Sequence, residues 1–256
     1  MTPNVTGRVA VITGASRGLG AGLAVHFAAS GMHLGLCARH RPRLVARTRP
    51  TAQRGHIVSS EVPLLSAVDV TDRAALARFA DAVVDRFGHI DLWVNNAGLL
   101  RPIAPLALAD GVEVAQTISV NVVGVANGTS VFAAHVRGRP GRGVLINVTS
   151  GAATKAYEGW AAYCASKAAV DQLTRVVALE EARHELLAFA VSPGLVDTDM
   201  QTAIRGPTRR RSPSANGSGA WPRCSGSTRR RGWATFSFGW RSGTEPDGRH
   251  PDGRSR

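Results

Sequence analysis

The first 200 residues predict an α/β fold, a doubly wound parallel sheet covered by helices on both faces. Two observations carry this. Short apolar runs of strand length alternate with longer stretches of helical period, and a glycine-rich turn directly follows the first apolar run. A chain of 256 residues holds one such domain, or one domain and a tail.

The elements follow in order. Residues 8–13 form a buried strand, then a glycine turn, then a helix over 18–29. Residues 33–38 read as the second strand, and the arginine-rich stretch to Arg54 as an exposed helix and loop with a solvated face. Residues 64–68 give a third strand. Thr71 is expected to cap a helix reaching Phe87, with Leu76, Phe79, Ala80 and Val83 on its inner face. Residues 90–94 are the fourth strand, 112–136 one long apolar helix, and 143–148 the fifth strand. Residues 160–183 are a long helix and 187–191 the sixth strand. There is no internal repeat. Right-handed crossovers at each step give the doubly wound order. A seventh strand and last helix should lie beyond residue 200, where no convincing candidate is found, so the sheet is expected to be incomplete at its C-terminal edge.

Charge and composition separate body from tail. The chain carries +13, but residues 201–256 hold 12 arginines against three acids, and residues 1–200 are close to balanced. That segment has no Leu, Val, Met or Lys and one Ile, Ile204, while Arg, Gly, Ser and Pro dominate. It cannot bury enough aliphatic surface to offset its chain entropy, which predicts a tail without a fixed fold. Out-of-frame reading of GC-rich coding sequence gives the same signature. Residues 233–240 form a short aromatic island that could pair as an edge strand. Cys37, Cys164 and Cys224 are scattered, with no spacing for zinc or a redox pair, as suits a reduced cytoplasmic protein with no metal. The polar start from Met1 to Gly7 gives no secretory leader, and no membrane span is expected.

The glycine turn, Thr13-Gly14-Ala15-Ser16-Arg17-Gly18-Leu19-Gly20, has GxxxGxG spacing rather than the GxGxxG of the commoner Rossmann fingerprint. Residues lacking a Cβ let backbone N–H groups and a helix N-terminus approach a pyrophosphate. The second strand ends in Cys37-Ala38-Arg39. Ala38 offers no carboxylate for ribose hydroxyls, while Arg17 and Arg39 could converge on a 2′-phosphate, which favours NADP(H).

Ser150, Tyr163 and Lys167 are the candidate catalytic group. Tyr163 and Lys167 stand four apart on a predicted helix and share a face. Ser150 follows the fifth strand at its carboxyl end, where such sheets bind ligands. Reduction of a carbonyl needs a proton donor, and an ammonium nearby is expected to lower the phenol's pKa for the reverse step. Ser150 can hydrogen-bond the substrate oxygen.

The loop, Asn95-Asn96-Ala97-Gly98, Ser150 thirteen before Tyr163, the Tyr–Lys pair and Pro193-Gly194 together resemble the classical short-chain dehydrogenase/reductase family over about residues 5–200. The resemblance implies a Rossmann-type domain over 1–204 that binds NADP(H), with 205–256 as its tail. It implies Tyr163 as acid/base, Lys167 as pKa tuner and nicotinamide-ribose ligand, and Ser150 as substrate orienter. It implies Asn121 in a water-linked proton relay to the lysine. Gly14, Ser16, Arg17, Gly18, Leu19, Gly20 and Arg39 would serve the phosphates, and Asp69 and Val70 the adenine. Asn96, Ala97 and Gly98 would line the cofactor, with Pro193, Gly194, Val196 and Thr198 at its carboxamide end. The family also implies a homodimer or tetramer, which the altered C-terminus puts in question.

A narrower set, Gly159-Trp160-Ala161-Ala162-Tyr163-Cys164, Ala178-Leu179-Glu180-Glu181 and Asp197-Thr198-Asp199-Met200-Gln201, resembles sepiapterin- and benzil-reductase-like members, which act on vicinal dicarbonyls. The expectation is an oxidoreductase that exchanges hydride between NADP(H) and a small carbonyl or alcohol substrate. The alternative is a cofactor-binding relative with impaired or no catalysis, its substrate cover lost. A nucleic-acid-binding reading of the basic tail has no base-reading module behind it.

Overall fold

The computed structural model describes residues 5–40 and 62–194. They form β1 (Val9–Thr13), α1 (Gly18–Ala29), β2 (His33–Ala38), β3 (Leu64–Ala67), α2 (Arg73–Phe87), β4 (Leu92–Asn95), α3 (Gly111–Ile118), α4 (Gly124–Arg137), β5 (Gly143–Val148), α5 (Ala161–Glu181) and β6 (Leu186–Val191). The six strands are all parallel, in the order β3-β2-β1-β4-β5-β6. The strand order reverses at β1, so a crevice opens beyond the carboxyl ends of β1 and β4.

Side-chain alternation builds two cores from one sheet. Val9 and Val11 of β1, Trp93 of β4 and Leu145 of β5 face Leu76, Phe79 and Val83 of α2 and Phe132 of α4. Ala10, Ile12, Leu92, Val94, Val144 and Ile146 face Ala21, Ala24 and Ala28 of α1 on the other side. Strands buried on both faces read as continuous apolar runs, which is why the sequence showed them so plainly. The inner face expected for α2 is the observed one.

Two boundaries are corrected. Asp72, not Thr71, caps α2, its carboxylate accepting from the Ala75 N–H at 2.9 Å. The Thr71 N–H and hydroxyl are instead donated to Asp69 Oδ1 at 2.9 and 2.8 Å in a turn that ends the β3 connection. The single helix expected over 112–136 is two helices joined by a π-turn at Ser119–Val123. That turn holds Asn121, whose amide makes three hydrogen bonds outside its helix and offsets the poorer local geometry. Gly111–Arg137 is long and apolar enough to cross a membrane by composition, but half of that apolar window is buried in the protein, as in a core helix.

The amino end of the sheet is tied by charge. Asp91 accepts from Val9 N–H and Arg8 Nη1, both at 2.8 Å, and lies 3.0 Å from His89 Nε2. Beside it, His135 Nε2 accepts from Ile90 N–H at 3.0 Å and Arg139 Nε at 3.1 Å. Arg137 and the buried Glu181 join α4 to the end of α5 through two hydrogen bonds of 2.8 and 2.5 Å. β6 is the outermost strand among the described residues. The expected seventh strand, the aromatic island at 233–240, the tail, and the arginine-rich stretch at 41–54 lie outside them.

Candidate active site

A cleft of about 730 Å³ runs along the carboxyl ends of the strands. The phosphate loop forms one end. Gly14 has φ +65°, and a Cβ there would stand 2.7 Å from the Ala97 Cα. A Cβ on Gly20 would lie 2.5 Å from Asn96 Nδ2 and 2.6 Å from the Gly14 carbonyl oxygen. Both glycines therefore let the loop lie against β4, and Gly18 at φ +56° opens α1. Asn96 holds the loop by donating to the Thr13 and Gly14 carbonyls at 3.0 and 3.1 Å, and Thr13 Oγ1 accepts from the Asn96 and Ala97 N–H groups.

Arg17 precedes α1 with no side-chain cap, which leaves N–H groups of the first turn facing the cleft for an anion. This Cβ-free cradle, with helix N–H donors and cations, fits the diphosphate of a dinucleotide. Ser16, Arg17, Gly18 and Leu19 line it, as do Ala38, Arg39, Asp69 and Val70. Arg17 and Arg39 are exposed there, and Ala38 is buried with no carboxylate at the strand end.

The other end carries the hydroxyls. β5 delivers Ser150, and α5 presents Tyr163 and Lys167 on one face; all three line the cleft. Ser150 Oγ accepts from the Ala152 N–H at 3.2 Å, and its hydroxyl is close enough to the Tyr163 phenol to favour the ionised form. Tyr163 packs with Leu100 and Ala152, under Trp160 and Cys164. Lys167 is buried, donates to the Val148 carbonyl at 2.8 Å, and sets its Nζ 5.6 Å from the centre of the Tyr163 ring.

Burial raises the Tyr163 phenol above its ordinary pKa, against the opposing hydrogen bond from Ser150. This differs from the expected depression: here desolvation outweighs the opposing influence of Ser150. The amine takes the larger effect, since burial pushes Lys167 from 10.5 to about 8, with Asp171 opposing.

Asn96, Ala97, Gly98, Pro193 and Gly194 complete the wall. Gly20 and Asn121 lie behind it. Asn121 exchanges two hydrogen bonds with Leu99 (N–H to Oδ1 2.7 Å, Nδ2 to O 2.8 Å) and donates to Ser166 Oγ at 3.0 Å. A Cβ on Gly98 would stand 3.3 Å from Asn121 Oδ1 and 3.8 Å from Lys167 Nζ, so the missing side chain leaves space between them. Val196 and Thr198 lie outside the described residues. Leu100, Arg101, Gln116, Val120 and Thr149 also line the cleft and were not expected. Only their closeness to Asn96-Ala97-Gly98, Asn121 and Ser150 in sequence could have signalled them.

A doubly wound sheet with this loop and this Ser–Tyr–Lys group defines a nicotinamide-dependent oxidoreductase that transfers hydride to or from a small molecule. The chain belongs to the short chain dehydrogenase family, whose profile matches residues 8–208. It is 30% identical over 203 residues to a benzil reductase ((S)-benzoin forming) of Bacillus subtilis, covering 78% of this chain and 79% of that protein. It is 32% identical over 202 residues to an NADPH-dependent pterin aldehyde reductase of Arabidopsis thaliana, covering 79% and 80%. Among solved structures, a short-chain type dehydrogenase/reductase from Mycobacterium marinum superposes with a TM-score of 0.72 at 27% identity, over 79% of this chain and 78% of that one.

Proposed function

We propose that the protein is an NADP(H)-dependent carbonyl reductase of the cytoplasm. The observation that carries the reading is one cleft with two unlike ends. Arg17 and Arg39, with no carboxylate at Ala38, flank the phosphate loop, and the neighbouring Ser150 and Tyr163 hydroxyls lie beside Lys167 at the other end. Two exposed guanidinium groups suit a 2′-phosphate, and an acid in place of Ala38 would repel it. The NADPH-dependent relative is consistent with this choice. Cys37, a buried thiol, and the scattered placement of the other cysteines support a reducing compartment.

The bound cofactor supplies the hydride. A carbonyl oxygen placed between Ser150 and Tyr163 accepts hydrogen bonds from both hydroxyls. As negative charge develops on that oxygen, the Tyr163 phenol gives up its proton to it. Its raised pKa keeps the proton available through neutral pH. Lys167, with its Nζ 5.6 Å from the Tyr163 ring centre, stabilises the phenolate left behind and would hold the nicotinamide ribose. Asn121 fixes the Leu99 backbone and leaves room beside Lys167 for a water that could return the proton.

Fluorescence titration should give NADPH at least tenfold tighter binding than NADH, with the preference lost in Arg39→Ala. Tyr163→Phe should bind NADPH yet reduce no member of a panel of vicinal dicarbonyls that the unchanged protein turns over. Equal affinity for both cofactors would reject the charge reading, and near-normal turnover by Tyr163→Phe would reject the mechanism.

A further inference from the structure

We infer that the substrate is an aromatic carbonyl compound bearing a carboxylate, with Arg101 holding the carboxylate and Trp160 walling the ring. The inference rests on the reading of the cleft as a site of carbonyl reduction, and goes on from a charge left over at its substrate end.

The cleft walls carry four Arg and Lys cations, Arg17, Arg39, Arg101 and Lys167, against one carboxylate, Asp69. Arg17 and Arg39 stand at the phosphate loop, and Lys167 is engaged by the Val148 carbonyl beside Tyr163. Asp69 is occupied by the Thr71 N–H and hydroxyl, at the end far from the hydroxyl pair. That leaves Arg101, which forms no ion pair among the described residues.

Its backbone is fixed from both sides. Thr117 Oγ1 donates to the Arg101 carbonyl at 2.5 Å, and Asn121 holds Leu99 two residues earlier. The residue between them, Leu100, is buried against Tyr163. The Arg101 side chain is exposed at the cleft, on a backbone held one residue from a side chain that touches the Tyr163 phenol, and such a guanidinium suits an anion attached close to the reacting carbon.

The neighbouring wall is aromatic, held to the same segment where the Ala104 N–H donates to the Gly159 carbonyl at 3.0 Å. Tyr157 and Trp160 stack with centroids 5.0 Å apart, and Trp160 meets Tyr163 edge to face at 5.9 Å and 87°. Trp160 is half-buried and lines the cleft with Leu100. A flat ring gains dispersion and quadrupole contacts on such a surface that an alkyl chain does not. A ring, a ketone and a carboxylate joined together describe an aryl 2-oxo acid. In its reduction a hydride from NADPH forms the C–H bond at the keto carbon as the C=O π bond opens. Tyr163 protonates the oxygen, and the products are the 2-hydroxy acid and NADP⁺.

The test uses the full chain with NADPH and three probes: phenylglyoxylate, its neutral methyl ester, and pyruvate, which has the charge but no ring. Phenylglyoxylate should show kcat/KM at least tenfold above both. In Arg101→Gln the ratio of acid to ester should fall at least tenfold, chiefly through KM, and Trp160→Leu should lower the ratio of phenylglyoxylate to pyruvate. An ester reduced as well as the acid, or an Arg101→Gln loss shared equally by both, overturns the proposal. A second readout is calorimetric binding of phenylglyoxylate to the protein saturated with NADP⁺. Binding at least tenfold tighter than the ester's, and lost in Arg101→Gln, upholds the inference even where no probe is turned over, and the reductase reading alone then fails. Weak binding indifferent to Arg101 overturns the inference, whatever the turnover of other carbonyls.

Discussion

Lys167→Met removes a buried ammonium that the proposed reaction uses and the fold carries at a cost. Lys167 is 4% exposed, and its one neutralising influence, Asp171, leaves its pKa at about 8 rather than 10.5. A depression of that size corresponds to about 3 kcal/mol against the charged form near neutral pH. Methionine has nearly the same length and no charge to desolvate. The substitution also gives up the hydrogen bond to the Val148 carbonyl, worth roughly 1–2 kcal/mol. The cofactor-free variant should therefore be more stable than the parent by about 1–2 kcal/mol at pH 7. The sign of the pH dependence is fixed by linkage. Between about pH 8 and 10.5 the unfolded chain binds more protons at this lysine than the folded one, so the parent gains stability as pH rises through that window and the gap to the variant closes. Urea unfolding followed by tryptophan fluorescence at pH 7 and pH 10 measures both quantities. Turnover should meanwhile be lost and NADPH affinity fall at least tenfold. A variant less stable than the parent at pH 7, or a gap that does not change with pH, would refute the desolvation reasoning.

Two further outcomes concern the scaffold. Gly128→Ala places a Cβ onto Asn95 Oδ1 and within 2.9 Å of Trp93 Nε1, inside a buried hydrogen-bonded group that cannot give way, so it should cost about 1–3 kcal/mol in the same unfolding assay. His135 has its pKa lowered, first by burial and then by the Arg139 charge, and its Nε2 accepts two N–H donors in the folded state. The unfolded histidine takes up a proton before the folded one, so melting temperature should drop as pH falls below about 6.5, and a His135→Asn variant should lose that slope.

Legibility in the sequence followed burial. Strands packed on both faces, such as residues 9–13 and 143–148, stood out as unbroken apolar runs. The inner face of α2 followed from the spacing of Leu76, Phe79, Ala80 and Val83. The π-turn at Ser119–Val123 left no trace in periodicity, because it is stabilised by tertiary bonds from Asn121 to Leu99 and Ser166. The cap of α2 went astray by one residue since Thr71 and Asp72 are both good caps, and Asp69 decides between them by engaging Thr71. In the site, glycine spacing and the Tyr–Lys interval picked out residues that line one cleft, Gly14, Gly18, Tyr163 and Lys167 among them. Trp160 stands three residues before Tyr163 in the Gly159–Cys164 run, but Arg101 carries no fixed spacing to the catalytic group, and only the folded wall brings it there.

Below the cleft, a chain of buried hydrogen bonds ties the two halves of the site together. Trp93 Nε1 donates to Asn95 Oδ1 at 2.8 Å, Asn95 Nδ2 to Asn147 Oδ1 at 2.9 Å, and Asn147 Nδ2 to Thr174 Oγ1 at 2.9 Å, while Thr174 donates to the Val170 carbonyl at 2.7 Å. The chain crosses from β4 through β5 to α5. Asn95 precedes the residue that braces the phosphate loop, Asn147 stands three before Ser150, and Thr174 lies two helical turns beyond Lys167. Apolar packing alone would let α5 slide along β5 at little cost, since one methyl contact replaces another. Directional bonds between buried amides do not permit that, because any shift leaves a donor without its acceptor in a low-dielectric interior. The pairing of Ser150 with Tyr163 across two elements thus depends on polar groups that never reach the cleft.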